Sequence, residues 1–272
     1  MTPAASVVGA TSGGLELTTE EYLLAWQHLR LGLVHWNLQP PGGSPWDPEK
    51  QRTVEERMAA QRQAWEALRA RGLAGTRQLA PELEDALHLI ARPAAELNAR
   101  LDLPDGKRTV VGCARGEHAA VAELSEFGMR IRAARSTALP TAVADVIPDR
   151  PMGSGTAVSV PAELLSDHQG MTGAEVERGL LRGGLRPDDV RRFRTMLQGP
   201  KLGGGKFGAA RRDRQGSRSI AEFVVTYYET ERGGYTIEQK RGVDRSRWYT
   251  LAPASRPQLA QRLGHLLNSI RI

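Results

Sequence analysis

Apolar residues recur at two spacings along this chain, and the spacing changes part-way through each half. Leu15-Glu16-Leu17 alternates like a short strand, and Thr18 with Glu21 then forms a capping box. Tyr22, Trp26, Leu29 and Leu33 follow three or four apart and predict a helix with one apolar face. The proline-rich stretch 39–48 reads as a loop. Val54, Met58, Trp65 and Leu68 mark the inward face of a second helix, which Gly72 stops. Pro81 opens a third, with Leu83, Leu87 and Ile90 inward and Glu82, Glu84 and Asp85 at the positive end of its dipole.

From about residue 95 the period falls to 2. Segments 95–103 and 107–115 predict strands joined by the turn Pro104-Asp105-Gly106, followed by a third at 118–124. Phe127, Met129, Ile131 and Ala133 then alternate with Gly128, Arg130 and Arg132, as in a sheet with one covered and one wet face. A helix over about 139–147 closes the unit. Beyond a linker at 148–155 the plan repeats. A short strand at 156–160 precedes a helix announced by the Thr172/Glu175 capping box and another opened by Pro187. Strands follow at 206–213, 219–230, 235–240 and 247–252, then a helix carrying Leu259, Leu263, Leu266, Leu267 and Ile270. A shift of 120 residues superposes Ile131 on Leu251, Leu139 on Leu259 and Val143 on Leu263, the trace a duplication would leave. The expected fold is α/β of the α+β type. Two related halves, about 15–150 and 151–272, each form an antiparallel β-meander with helices. They join around a pseudo-two-fold central sheet as one domain. Residues 1–14, small and uncharged, are expected to form a disordered tail.

Composition removes several classes. The 272 residues are 40% apolar and 25% charged, an ordinary globular mixture. A single cysteine, Cys113, leaves no internal disulfide to form. There is no basic, apolar leader and no apolar run near the ~18 residues of a membrane span, so a cytoplasmic protein is expected. Net charge is +6, but 32 of the 37 basic residues are Arg, beside abundant Ala, Gly and Pro. That bias reflects GC-rich coding as readily as a need for polyanions.

Candidate chemistry is sparse. His28 and His35 are seven apart with no third ligand at metal spacing, and no nucleophile–base pair can be assembled. No enzyme, cofactor or metal is expected. Gly203-Gly204-Gly205-Lys206-Phe207-Gly208 has the look of a phosphate loop. Pro200 stands where its first Gly belongs, however, Phe207 replaces the hydroxyl, and the run leads into a strand. Arg211, Arg212, Arg214 and Arg218 carry an alternative reading, a basic nucleic-acid-binding protein. Against it, alternation sends Arg211 and Arg212 to opposite faces, and no stacking aromatics are interleaved. What remains is a surface for another protein. Along 219–230, Ala221, Phe223, Val225 and Tyr227 form the better core face. Glu222, Val224, Thr226 and Tyr228 form an open one, beside Glu238 and Lys240 on the next strand.

Four stretches, in consistent order from residue 15 to the C-terminus, resemble the EspG family of cytosolic chaperones of actinobacterial type VII (ESX) secretion. They are Leu15-Glu16-Leu17-Thr18 with the Trp26 helix; Arg71-Gly72-Leu73 running through Leu79-Ala80-Pro81-Glu82-Leu83 to Arg92-Pro93; Val158-Ser159-Val160-Pro161; and the segment from Gly204 to Asp213, answered by Trp248 to Pro253. Lys206 stands where the family pattern suggests Gln, and the Pro104-Asp105-Gly106 turn is shorter than the partner-touching loop of some relatives. The resemblance implies two related halves around a central antiparallel sheet, with no catalysis and no cofactor. It implies as partner a PE–PPE-like heterodimer, or another type VII secreted helical hairpin, rather than a membrane or nucleic acid. The apolar helical tip of that cargo would be held by the central sheet and the C-terminal helical region. Matched onto this chain, those regions are the 219–240 hairpin and the helices of 172–198. Within these regions strand alternation offers Val224, Tyr228, Glu238 and Lys240 as candidate contacts, and Arg182 of the helical region joins them.

Overall fold

The computed structural model describes residues 14–40, 53–166, 173–242 and 244–271. The expected tail, most of the proline-rich loop and the Thr172 cap lie outside the described residues. Strand β1 (Leu15–Leu17) leads into α1 (Thr19–His28), whose N-terminus carries the Thr18/Glu21 capping box as the sequence predicts. The helix stops five residues earlier than the Leu33 spacing suggests. Arg30 adopts a positive φ of 52°, and Leu33 is left 97% exposed. A single 3-10 turn follows at Trp36–Leu38. Then come α2 (Val54–Ala70) and α3 (Pro81–Ala91). Of the inward face expected for α2, Leu68 is buried, but Val54 and Met58 are exposed.

Four strands form the first meander: β2 (Ala95–Leu103), β3 (Gly106–Arg115), β4 (His118–Ser125) and β5 (Gly128–Arg135). Phe127 falls in the β4–β5 turn and is exposed rather than covered. Helix α4 (Leu139–Ala144) closes this unit. The second half runs through β6 (Val158–Pro161), α5 (Glu163–Ser166), α6 (Gly173–Arg182) and α7 (Pro187–Leu197). It continues with β7 (Gly203–Arg212), β8 (Arg218–Ile220), β9 (Val225–Thr230), β10 (Gly233–Arg241), β11 (Arg247–Pro253) and α8 (Arg256–Asn268).

All eleven strands join one antiparallel sheet, in the order β1-β5-β4-β3-β2-β7-β9-β10-β11-β6, with β8 pairing β7 to the side. The two meanders meet where β2 and β7 pair from Ala95↔Arg211 to Asp102↔Gly204. At each outer edge a short early strand closes its own half: Leu15 opposes Ile131, and Val158 opposes Leu251. Strand alternation gives the sheet two buried faces. One is covered by α4 and α8, which pack Leu139, Val143, Leu259 and Leu263 onto Leu97, Leu101, Val110, Phe207 and Tyr227. The opposite face is covered only at its two ends. Helices α1 and α3, with Leu68 of α2, lie over Val111, Cys113, Ala122 and Ile131. Helices α6 and α7 lie over Val160, Tyr228, Tyr235 and Leu251. The middle, where β2 meets β7, is left open.

Two sequence expectations fail on this sheet. The 219–230 segment is two strands, β8 and β9, separated by a bend over 221–224. Val224 and Tyr228 stay on the same side of the sheet, but α7 covers the Tyr228 end, and the β9–β10 register turns Glu238 to the opposite face. Tyr228 is 3% exposed: it stacks on Tyr235 at 5.4 Å and donates its hydroxyl hydrogen to the Met196 carbonyl of α7 at 3.1 Å. It is core, not an open-face residue. Glu238 faces the other way, toward α8, where it is buried and ion-paired with Arg262. Both faces of β9 are therefore inside the protein, because a helix layer lies on each.

Candidate protein-binding face

The open middle of the sheet is built from residues that present little bulk or a long polar arm. On β2, Leu97, Ala99 and Leu101 point to α8, which leaves Glu96, Asn98, Arg100 and Asp102 on the open side. Across the ladder Asn98 faces Gly208, Arg100 faces Lys206 and Asp102 faces Gly204. At Gly208 a Cβ would lie 3.0 Å from the Asn98 amide oxygen, and at Gly204, with φ +154°, one would strike the Tyr227 carbonyl at 2.3 Å. The floor is low because glycine is needed there. Trp36 and Asn37 wall one side and Val224 the other, enclosing a recess of about 470 Å³.

The Trp36 wall is fixed to the sheet by a buried polar cluster. His35 accepts the Asn37 backbone N–H at Nδ1, so its Nε2 carries the hydrogen, which points at Glu96 Oε1 3.2 Å away. The same carboxylate accepts from Asn98 at 2.8 Å and pairs with Arg218 at 3.2 Å. Burial alone would raise the Glu96 pKa. The hydrogen bond from His35, with the Arg218 charge and the Asn98 amide, outweighs it and holds the carboxyl below its ordinary value. One turn along, Asn37 Oδ1 accepts from Arg100 Nε at 3.2 Å, and the Arg100 guanidinium sits 5.0 Å over the Trp36 ring. Trp36 remains 49% exposed and Val224 45%. The recess thus offers an indole edge, an isopropyl group and cations around a glycine floor.

Of the residues singled out from sequence, Val224, Glu238 and Lys240 line a second recess, on the α8 side of the sheet. Val224 lines the first recess as well. Lys240 is exposed but lies on the α8 side, beside Glu238. Arg182 ends α6 and is solvent-exposed. Tyr228 supports the α7 end of the face from beneath, with Lys201 5.3 Å above its ring. The glycine-rich run is the central strand β7, paired on both sides. Of the arginine group, Arg218 is consumed by Glu96, Arg212 bonds the Gly216 carbonyl, and Arg211 reaches Asn268. Cys113 is fully buried beside Glu96, and burial pushes its thiol pKa well up. His28 packs on Trp65 and His35 on Glu96, so the two share no helix face. Among the described residues no group of three His, Cys, Asp or Glu side chains could hold a metal ion, and no helix is long and apolar enough to cross a membrane. Sequence reasoning missed Trp36, Asn98 and Arg100. The signal for Asn98 and Arg100 is the polar phase of β2 alternation, meaningless until β7 is known to lie beside it, and Trp36, in a turn, has no periodic signal.

The eleven-stranded sheet, clad on one face and open in the middle of the other with polar and aromatic groups at the opening, is an α/β fold with a candidate protein-binding face. The EspG family model matches residues 18–265, and the chain belongs to the EspG family. Its fold is that of the type VII secretion chaperone EspG5 of Mycobacterium tuberculosis, solved in complex with the PE25–PPE41 dimer. That likeness has a TM-score of 0.69 at 16% identity, covering 94% of this chain and 96% of that one. No curated protein matches this sequence.

Proposed function

We propose that this chain is a cytosolic, non-catalytic chaperone of type VII secretion, which holds the apolar helical tip of a PE–PPE-type heterodimer on the open middle of its sheet. The observation that carries the reading is the strip of β2 and β7 left bare between two helical layers, with Trp36 and Val224 half-exposed at its rims. A central strand pair buried on one face only is costly to leave empty, and a helical tip inserted there would find an aromatic anchor and a flat floor. Membership of the family and the partner of EspG5 support the class of cargo. Arg182 and the exposed surface of α6 and α7 border the same side and would widen the contact.

Co-expression with PE–PPE heterodimers encoded in the same genome tests this. At least one should co-purify as a stable complex. Trp36→Ala and Val224→Asp should each weaken that complex at least ~30-fold, the loss of a central anchor being about 2 kcal/mol or more. Retention of no heterodimer, or full affinity in both variants, would contradict the reading.

A further inference from the structure

Arg100 and Lys206 are directly opposed in the β2–β7 ladder, on the open face. Like charges placed opposite one another across a strand pair repel and destabilise it. Nothing in the ladder neutralises them. Arg100 is occupied by a neutral amide oxygen and an indole face, and Lys206 has no carboxylate partner among the described residues. Lys107, also exposed, brings a third cation to the recess. The nearby carboxylates do not answer them: Glu96 is spent on His35 and Arg218, and Asp102 sits opposite Lys107 in the β2–β3 register. Three exposed cations thus meet one carboxylate, Asp102, in a recess walled by Trp36, Val224 and the neutral amides of Asn37 and Asn98. A docked tip that excludes water would strengthen their pull on its anion.

We infer that the recess selects a helical tip that carries an acidic side chain beside its apolar residues, with the carboxylate seated between Arg100 and Lys206 and the apolar group against Trp36 and Val224. The inference rests on the function proposed above and adds the charge of the cargo determinant. The opposed cations outnumber the one carboxylate beside them, at a small cost to the free chaperone, and an incoming carboxylate converts that repulsion into two attractive contacts. A neutral tip would leave Arg100 and Lys206 both desolvated and mutually repelling, so the same device rejects non-acidic cargo.

The test uses the full chain and the PE–PPE heterodimer retained in the co-expression experiment. Lys206→Glu should weaken binding at least ~10-fold and Lys206→Met several-fold, while Arg62→Glu, the same kind of reversal on the exposed side of α2, should leave it within two-fold. Raising salt from 50 to 500 mM should weaken the wild-type complex more than the Lys206→Met complex. Reversing the acidic residue of the cargo tip to Lys should restore binding to Lys206→Glu. Thermal melts verify that each variant is folded. A heterodimer that binds the wild type and Lys206→Glu equally, with no salt dependence, overturns this inference and leaves the proposed function standing. Retention of no heterodimer at all overturns both.

Discussion

Tyr228 and Val224 lie four residues apart on what reads as one strand, yet they do opposite things. The Tyr228 ring is sandwiched between Tyr235 and the α7 end, and its hydroxyl satisfies a helix-terminal carbonyl. Tyr228→Ala should therefore cost about 3–5 kcal/mol of folding stability, as large aromatic truncations in cores do. Tyr228→Phe, which removes only the hydrogen bond, should cost about 1 kcal/mol. Val224→Ala, at an exposed bend, should stay within about 0.5 kcal/mol. Denaturant titration of the three separates core from rim. Glu96 gives a second test at this scale. Its folded-state pKa is lowered, so the stability it contributes is fully present above about pH 4.5, its ordinary value, and is lost as pH falls through the lower folded value. Glu96→Gln should destabilise by about 1–3 kcal/mol at pH 7, because Arg218 loses its buried counter-charge and an amide NH2 replaces one accepting oxygen. The gap between wild type and variant should close below about pH 4.5. A gap that instead widens on acidification would contradict the assignment.

At the scale of elements, the strands and capped helices are the most legible part of the chain. The Thr18 and Pro81 helix starts, the 95–103 and 107–115 hairpin and the closing α8 helix all follow from period and capping chemistry alone. Legibility fails where a local pattern is overridden from elsewhere. Helix α1 ends early because the Trp26 indole N–H donates to the Gly32 carbonyl at 2.9 Å, holding the chain that folds back after Arg30. The β8–β9 bend is invisible to alternation because a strand that changes partners keeps its β-rich composition. The Arg71-Gly72-Leu73 motif gains a physical meaning that spacing does not convey. Arg71 pairs with the buried Glu21 at 2.6 Å and donates to the Glu16 carbonyl at 2.6 Å, clamping the end of α2 to the edge strand β1. Arg71→Ala should destabilise by about 1–3 kcal/mol, because it leaves a buried carboxylate without its cation. It should also speed amide exchange in β1 more than in β2 or β7. Uniform loss of protection across the sheet would instead mean that β1 has no separate anchoring.

On the scale of the whole molecule, the fold class could be read from the repeated change of period, but the open strip proposed as the binding face could not. Its floor comes from β2 and β7, its walls from the Trp36 turn and the β8–β9 bend, and only the sheet order brings these together. The sequence reading places the surface on β9 and β10, where Tyr228 lies under α7 while Glu238 and Lys240 line a recess beside α8. The central claim is that cargo sits on the open β2–β7 strip and not on the α8 side, and the scarcity of lysine makes that directly measurable. Lys206 and Lys107 line the strip, and Lys240 lies on the opposite face. Amine acetylation followed by mass spectrometry, on the free chain and on its complex with a co-purified PE–PPE heterodimer, should show Lys206 and Lys107 losing most of their reactivity while Lys240 stays unchanged. Protection of Lys240 with Lys206 still fully reactive would contradict the account.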